Sequence, residues 1–358
     1  YEISDLSPYI PLNHSWNIRG VTDNGQVYGS YYTNDNRSNG FYIYDSKKNI
    51  PTIVESKDKN HQFIPLKVTN FGEVFVAEYN PMHLFSWEKF TGIHPVEICD
   101  SEYVDISSIN DLGQMIGNHR YDSKSSYSPF LWDNGKLTNM GIGSKLYDQL
   151  ESLGYTVTDI NLFDFNNKGE LCGNFTYGKF NKIKKELVNV GKKFFFWNGT
   201  PHIIPLDIFY FHQFFTARIN NNGKILITVT DVDYINNDVI ELPPLSYLWS
   251  FEDGLQPLDD FIGNSINDSS VVLGYRKEYT YASNFREIPG IYKNGEFLSL
   301  ASMLGVTDLN SLAPPFSDEY EIERIHTIVN INNRGQIACM GIIWGETVPC
   351  ILNPTNND

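Results

Sequence analysis

Three stretches of this chain gather side chains whose types and spacing could do chemistry. Asp231-Val232-Asp233, followed by Asn236, Asn237, Asp238 and Glu241, concentrates hard oxygen donors of the kind that hold Ca2+. The stretch lacks the loop of about twelve residues with a central Gly that the best-known calcium motif uses. A cation site there would rest on Asp231, Asp233 and Asp238, and no other cofactor is implied. Lys179, Lys182, Lys184, Lys185, Lys192 and Lys193 crowd a second stretch. They suit an acidic partner, and equally the solvated tip of a hairpin. Arg276, Lys277, Tyr279, Tyr281, Phe285 and Arg286 mix cations with aromatics. Such side chains anchor protein or glycan surfaces, and the same mix makes ordinary cross-strand pairs.

Motif searches for catalysis return nothing. There is no Gly-x-Ser-x-Gly, no His-Glu-x-x-His and no Gly-rich phosphate loop before a helix. The 8 His are scattered, with no two at ligand spacing. No catalytic residue is nominated. The 4 Cys include no C-x-x-C, so zinc is not expected. Cys339 and Cys350 are different. If Trp344-Gly345 is a hairpin tip, the two cysteines face each other across the strands, within disulfide reach. A disulfide and two buried thiols both fit that spacing. Cys99 and Cys172 have no partner nearby in sequence.

The net charge of −16 argues against nucleic acid or an anionic membrane as a general partner. No apolar run reaches the length of about 18 residues that a spanning helix needs. The chain begins at Tyr1 rather than Met, as a processed or trimmed chain would.

The elements that must position these residues come from a repeat. Ile-Asn-x-x-Gly stands at 109–113, 219–223 and 331–335, with weaker copies at 21–25, 68–72, 165–169 and 266–270. The turn positions near 25, 72, 113, 169, 223, 270 and 335 are 41 to 65 residues apart, the spacing of four-stranded propeller blades. Within each unit a short apolar strand ends at the phrase, and a second follows, such as Gln114-Met115-Ile116-Gly117. An aromatic third strand comes next: Leu84-Phe85-Ser86-Trp87, Phe130-Leu131-Trp132, Phe195-Phe196-Trp197 or Tyr247-Leu248-Trp249. An Asn-Gly or Asp-Gly turn often leads into the fourth, a strong hairpin signal. In the phrase, Asn is expected to cap its own turn and Gly to take the left-handed conformation. Ser270 replaces that Gly in unit six, which predicts local strain.

The seventh unit runs out after its third strand, and Tyr1–Leu6 reads as the missing fourth. The expectation is one all-β domain over 1–358, a seven-bladed β-propeller closed by its N-terminal strand. Two segments read as helical, Ser144 to Gly154 and, less regularly, Leu298 to Gly305.

The units Ile109-Asn110-Asp111-Leu112-Gly113-Gln114 … Pro129-Phe130-Leu131-Trp132 and Ile331-Asn332-Asn333-Arg334-Gly335-Gln336-Ile337 resemble the HAF-repeat family of bacterial secreted proteins. Units two, five and six depart from that pattern, with Glu73 or Lys224 in place of Gln and Ser270 in place of Gly. The resemblance implies a propeller-like repeat fold and an exported or extracellular setting. It transfers no catalytic residue.

Strand order places first-to-second and third-to-fourth turns on one face of a blade, and second-to-third loops on the other. The second class carries the length variation, and variable loops on a rigid scaffold tend to carry function. The expected function is therefore a monomeric, non-catalytic module offering those loops to a protein or glycan. The alternative is a carbohydrate-active hydrolase or lyase, whose site several blades could assemble at a channel mouth without a local motif.

Overall fold

The computed structural model describes residues 1–6, 14–33, 39–45, 50–56, 62–79, 83–98, 103–120, 128–181, 186–208, 214–230, 232–235, 238–241, 245–279, 285–305, 324–343 and 346–355. Seven four-stranded antiparallel sheets make it an all-β, seven-bladed β-propeller. Blade one is His14–Val21, Gln26–Thr33, Asn39–Asp45 and Ile50–Glu55, and blade two Gln62–Val68, Val74–Tyr79, His83–Glu88 and Gly92–Pro95. Blade three is Tyr103–Ile109, Met115–Arg120, Ser128–Asp133 and Lys136–Asn139. Blade four is Thr156–Phe165, Leu171–Asn181, Glu186–Trp197 and Pro201–Ile208. Blade five is Phe214–Ile219, Ile225–Thr230, Leu245–Ser250 and Gly254–Leu258. Blade six is Phe261–Ile266, Val272–Tyr279, Phe285–Lys293 and Glu296–Ser299. Blade seven is Arg324–Ile331, Ile337–Ile343 and Glu346–Asn353, completed by Glu2–Asp5. The chain divides into two compact units, Tyr1–Val96 with Gly263–Asp358, and Glu97–Ile262.

The N-terminal strand does close blade seven. Glu2 pairs with Asn353 and Asp5 with Cys350 in an antiparallel register. Leu6, fully buried, then packs with Ile18, Tyr42 and Ile351. The outer edge of Glu346–Asn353 is thereby paired rather than left as a template for another chain.

The repeated phrase makes the first-to-second-strand turn. Gly25, Gly72, Gly113, Gly169, Gly223 and Gly335 all have φ between 77° and 86°. In blade three, Asn110 Oδ1 accepts from the backbone N–H of Leu112 at 3.0 Å and of Gln114 at 3.1 Å. Gly113 N–H closes the turn on the Asn110 carbonyl at 3.2 Å. Ser270 takes the same left-handed position at φ 59°, where a Cβ crowds the following carbonyl.

A second glycine four residues on has a different cause. A Cβ at Gly29 would sit 1.9 Å from the Asn17 carbonyl, one at Gly117 2.0 Å from that of Asp105, and one at Gly173 2.5 Å from that of Asn161. In blades one and three the first strand bulges within two residues of this approach. The second strand must therefore lack a side chain where the bulge presses on it.

Third-strand aromatics fill the space between sheets. Trp87, Trp132, Trp197 and Trp249 are buried, and Phe194, Phe195 and Phe196 nearly completely so. Full burial of each Phe contributes roughly 2–3 kcal/mol before entropy is counted. The first helix, α1 (Ile142–Glu151), buries Ile142, Leu146 and Leu150 against blade four. Leu153, expected on that face, lies past the helix end and is exposed. The second, α2 (Leu300–Met303), is a single turn capped by Ser299, whose side chain accepts from Ser302 N–H.

Candidate functional site

The repeated turns turn out to be joints. Asn110 Nδ2 donates to the Asn166 carbonyl at 3.3 Å, and Asn166 Nδ2 to the Asn220 carbonyl at 3.0 Å, linking blades three, four and five. In the other unit, Asn267 Nδ2 donates to the Asn332 carbonyl at 3.0 Å, linking blades six and seven. A parallel row uses the next residue: Asp111 N–H donates to Asn167 Oδ1, and Asn167 N–H to Asn221 Oδ1. Immediately before the phrase, Asp164 accepts from Ser108 Oγ at 2.6 Å and from Ile219 N–H at 3.1 Å, bridging its two neighbours. Asn330, at the matching position of blade seven, joins blade one instead, accepting from Val21 N–H and donating to the Val21 carbonyl. The phrase is thus consumed by structure, and a ligand would have to compete with these bonds.

The lysine-rich stretch of blade four is largely strand among the described residues. Leu171–Asn181 and Glu186–Trp197 run on past the rest of blade four. The first strand begins pairing at Thr156 with Gly178, and the fourth ends at Ile208 with Lys192. Beyond both, Lys179 pairs with Val188, Phe180 with Leu187, and Asn181 with Glu186, as a two-stranded ribbon. Phe180 is 57% exposed and Leu187 45%, and Val188 and Val190 are exposed as well. At its root three ammonium groups lie over rings: Lys179 over Tyr155, Lys192 over Phe215 and Lys193 over Tyr177, at 5.3 to 5.9 Å. Such placement gives each ammonium group a cation–π contact. Lys182, Lys184 and Lys185 lie outside the described residues.

The blade-six hairpin is of another kind. Arg276 is exposed and stacks over Phe297 at 5.5 Å. Lys277 stands opposite Glu287, and Glu278 opposite Arg286, so the register sets opposite charges across the strands. Tyr279 pairs with Phe285 in backbone register. Tyr281 is outside the described residues. The described residues among these lie on one hairpin.

Of the calcium candidates, Asp231 lies outside the described residues. Asp233 and Asp238 fall on the two-stranded hairpin Val232–Ile235 and Asp238–Glu241, opposite Ile240 and Ile235 respectively, not opposite each other. Among the described residues no cluster of three His, Cys, Asp or Glu forms a metal-binding group.

Exposed aromatics on the opposite blade face escaped the sequence reading. Phe71, in the blade-two repeat turn, is 82% exposed, and Phe90, in its third-to-fourth turn, 95%. Phe71 occupies the variable third position of Asn-x-x-Gly-type turns, and that apolar residue in a turn was the available signal. Phe251 of blade five is also exposed and stacks edge-on against His202 at 4.7 Å. Cys339 and Cys350 are register partners, fully buried, with Sγ atoms 2.9 Å apart.

No protein-family model and no curated protein sequence matches the chain. Solved structures with a similar fold include the polysaccharide lyase Uly1, at 11% identity and TM-score 0.48, over 96% of this chain and 91% of that one. The β-propeller domain of the Trilobed protease from Pyrococcus furiosus is similar at 13% identity and TM-score 0.39, over 94% and 83%. A puromycin-hydrolyzing peptidase of Mycobacterium tuberculosis is similar at 7% identity and TM-score 0.46, over 99% of this chain and 54% of that one. Likeness at this level concerns fold and assigns no activity.

Proposed function

We propose that the chain is a non-catalytic binding module that presents the second-to-third-strand hairpins of its blades to a protein or glycan. One contrast carries this reading. The repeat turns spend their polar groups on joining blades, whereas the blade-four hairpin projects exposed Lys179 with Phe180 and Leu187, and the blade-six hairpin projects exposed Arg276. Built from HAF-like repeats, such a module belongs in an exported or extracellular setting.

The test is alanine substitution at Arg276 and at Lys179, scored by pull-down against extracts of the producing cells and by binding to a glycan panel. Partner capture is expected to fall about tenfold for at least one of the two, a loss of roughly 1.4 kcal/mol. Phe71→Ala with Phe90→Ala, on the other face, is expected to leave capture intact. Full retention by both hairpin variants, or turnover of a polysaccharide by the purified protein, would overturn the reading.

A further inference from the structure

The blade-four ribbon combines three properties that ordinary hairpin tips avoid together. Its Phe180–Leu187 cross-strand pair is exposed, where such pairs normally lie against a core. Among the described residues no third strand lies beside 179–181 or 186–190: the first strand's pairing starts at Thr156 with Gly178, and the fourth's stops at Ile208 with Lys192. A two-stranded ribbon of this kind is at best marginally stable in water. Its described protection against an added strand is its charge and one bulge at Val190, between the Tyr177–Gly191 and Gly178–Asn189 pairs. That charge is one-sided: residues 179–193 hold six Lys against the single Glu186, in a chain whose net charge is −16.

From this we infer that the ribbon docks an extended, acidic protein segment, which adds as a strand along Leu187–Val190. The inference rests on the binding-module reading and names the partner's chemistry. Strand addition supplies main-chain hydrogen bonds, while alternate side chains of the added strand supply specificity. Leu187 and Phe180 offer an apolar contact to one face of the incoming segment. Lys179 and Lys192, held over Tyr155 and Phe215, offer positive charge where the ribbon leaves the blade. An added strand would lie in line with Pro201–Ile208, extending the edge position that the fourth strand fills lower down. Phe180, Leu187, Val188 and Val190 would lose exposed apolar surface in the process.

The probe is a fluorescent peptide alternating Glu and Val, titrated by anisotropy against the whole protein. A peptide alternating Lys and Val is the charge control, and vesicles of phosphatidylcholine with phosphatidylglycerol test an anionic lipid surface. The Glu peptide is expected to bind saturably, to weaken about tenfold in Phe180→Ser/Leu187→Ser, and to weaken further with added salt. Hydrogen exchange on the unaltered protein is expected to slow at the amides of residues 187–190 on binding, a readout that no variant's folding can affect. No saturable binding, equal binding of the Lys peptide, or unchanged exchange at 187–190 would overturn the inference. So would vesicle co-sedimentation without peptide binding, which assigns the ribbon to lipid. If the ribbon variant keeps partner capture that Arg276→Ala loses, this inference falls and the module stands. Polysaccharide turnover would instead remove the module reading while leaving peptide binding measurable.

Discussion

The side-chain amide of Asn332 donates to the backbone carbonyl of Thr22 at 2.7 Å, joining residues 310 positions apart and tying blade seven to blade one. The same amide donates to Gln336 Oε1 at 2.9 Å, while Oδ1 accepts from Arg334 N–H and Gln336 N–H. One buried side chain therefore both shapes its own turn and holds the neighbouring blade.

These two duties can be separated by mutation. Asn332→Ala removes both and strands the buried polar groups, costing about 2–4 kcal/mol. Asn332→Asp keeps the acceptor but can donate neither to Thr22 nor to Gln336, and is expected to cost about 1–2 kcal/mol. Urea unfolding followed by circular dichroism reads both. An Asp variant as stable as the parent would show that the donated bonds, the inter-blade one included, contribute nothing.

Ser270 offers a gain rather than a loss. It holds φ 59° where six other repeats place Gly. A residue with a Cβ costs about 1–2 kcal/mol in that conformation, partly offset by the extra chain entropy that Gly brings to the unfolded state. Ser270→Gly should raise stability by about 0.5–1 kcal/mol, and Gly335→Ala should lower it by about 1 kcal/mol. Thermal melts of the two variants are expected to move in opposite directions.

How much of this was legible follows from the range of each interaction. The Asn-x-x-Gly turn is local, so its residues could be read directly, down to the strained Ser270. Blade seven's closure was legible because a strand was missing at one end and surplus at the other. The Asn166–Asn220 bond was not legible, because the amide of a turn-capping Asn carries no mark of a carbonyl 54 residues away. How far the blade-four strands run on into that ribbon was not legible, for a related reason. Lys-rich sequence signals solvent rather than irregular backbone, and residues 179–181 and 186–190 stay in register through partner strands, not propensity. Of the candidate site, residue types were visible, but which of them face an opposite charge across the strands, as Lys277 faces Glu287, depends on register.

The cysteine pair gives a prediction about how the protein folds. Cys339 and Cys350 pair directly across the strands, with Sγ atoms 2.9 Å apart and no exposure to solvent. Small reagents cannot reach them in the folded chain, so oxidation has to precede closure of blade seven by Glu2–Asp5. Refolding from urea in a mixture of oxidised and reduced glutathione should form the bond by exchange. Two thiol hydrogens would then be lost from the protein, and the reagent reduced to two thiols. Mass spectrometry after alkylation checks it, with Cys350→Ser as control. The oxidised protein should be about 2–3 kcal/mol more stable than the reduced one. Rapid alkylation of both cysteines in the native reduced protein would contradict the burial on which this rests.

His119 sets a pH dependence of definite sign. It is buried on the second strand of blade three, edge-on to Phe130 at 5.8 Å, and burial pushes its pKa below the ordinary value near 6.5. The unfolded chain therefore binds a proton at this position before the folded chain does. Stability from neutral His119 is fully present above about pH 6.5 and is lost as pH falls from there through the depressed folded value. Glu73 acts oppositely: burial raises its pKa, so its contribution is full below the ordinary carboxylate range and declines as pH rises. The two are separated by difference. His119→Phe keeps an aromatic ring against Phe130 and removes the titration, while Glu73 stays the same in both proteins. Denaturant midpoints at pH 7.5 and 5.5 should show the parent losing more stability on acidification than His119→Phe. Equal losses in the two proteins would mean that His119 is protonated as readily when folded as when unfolded.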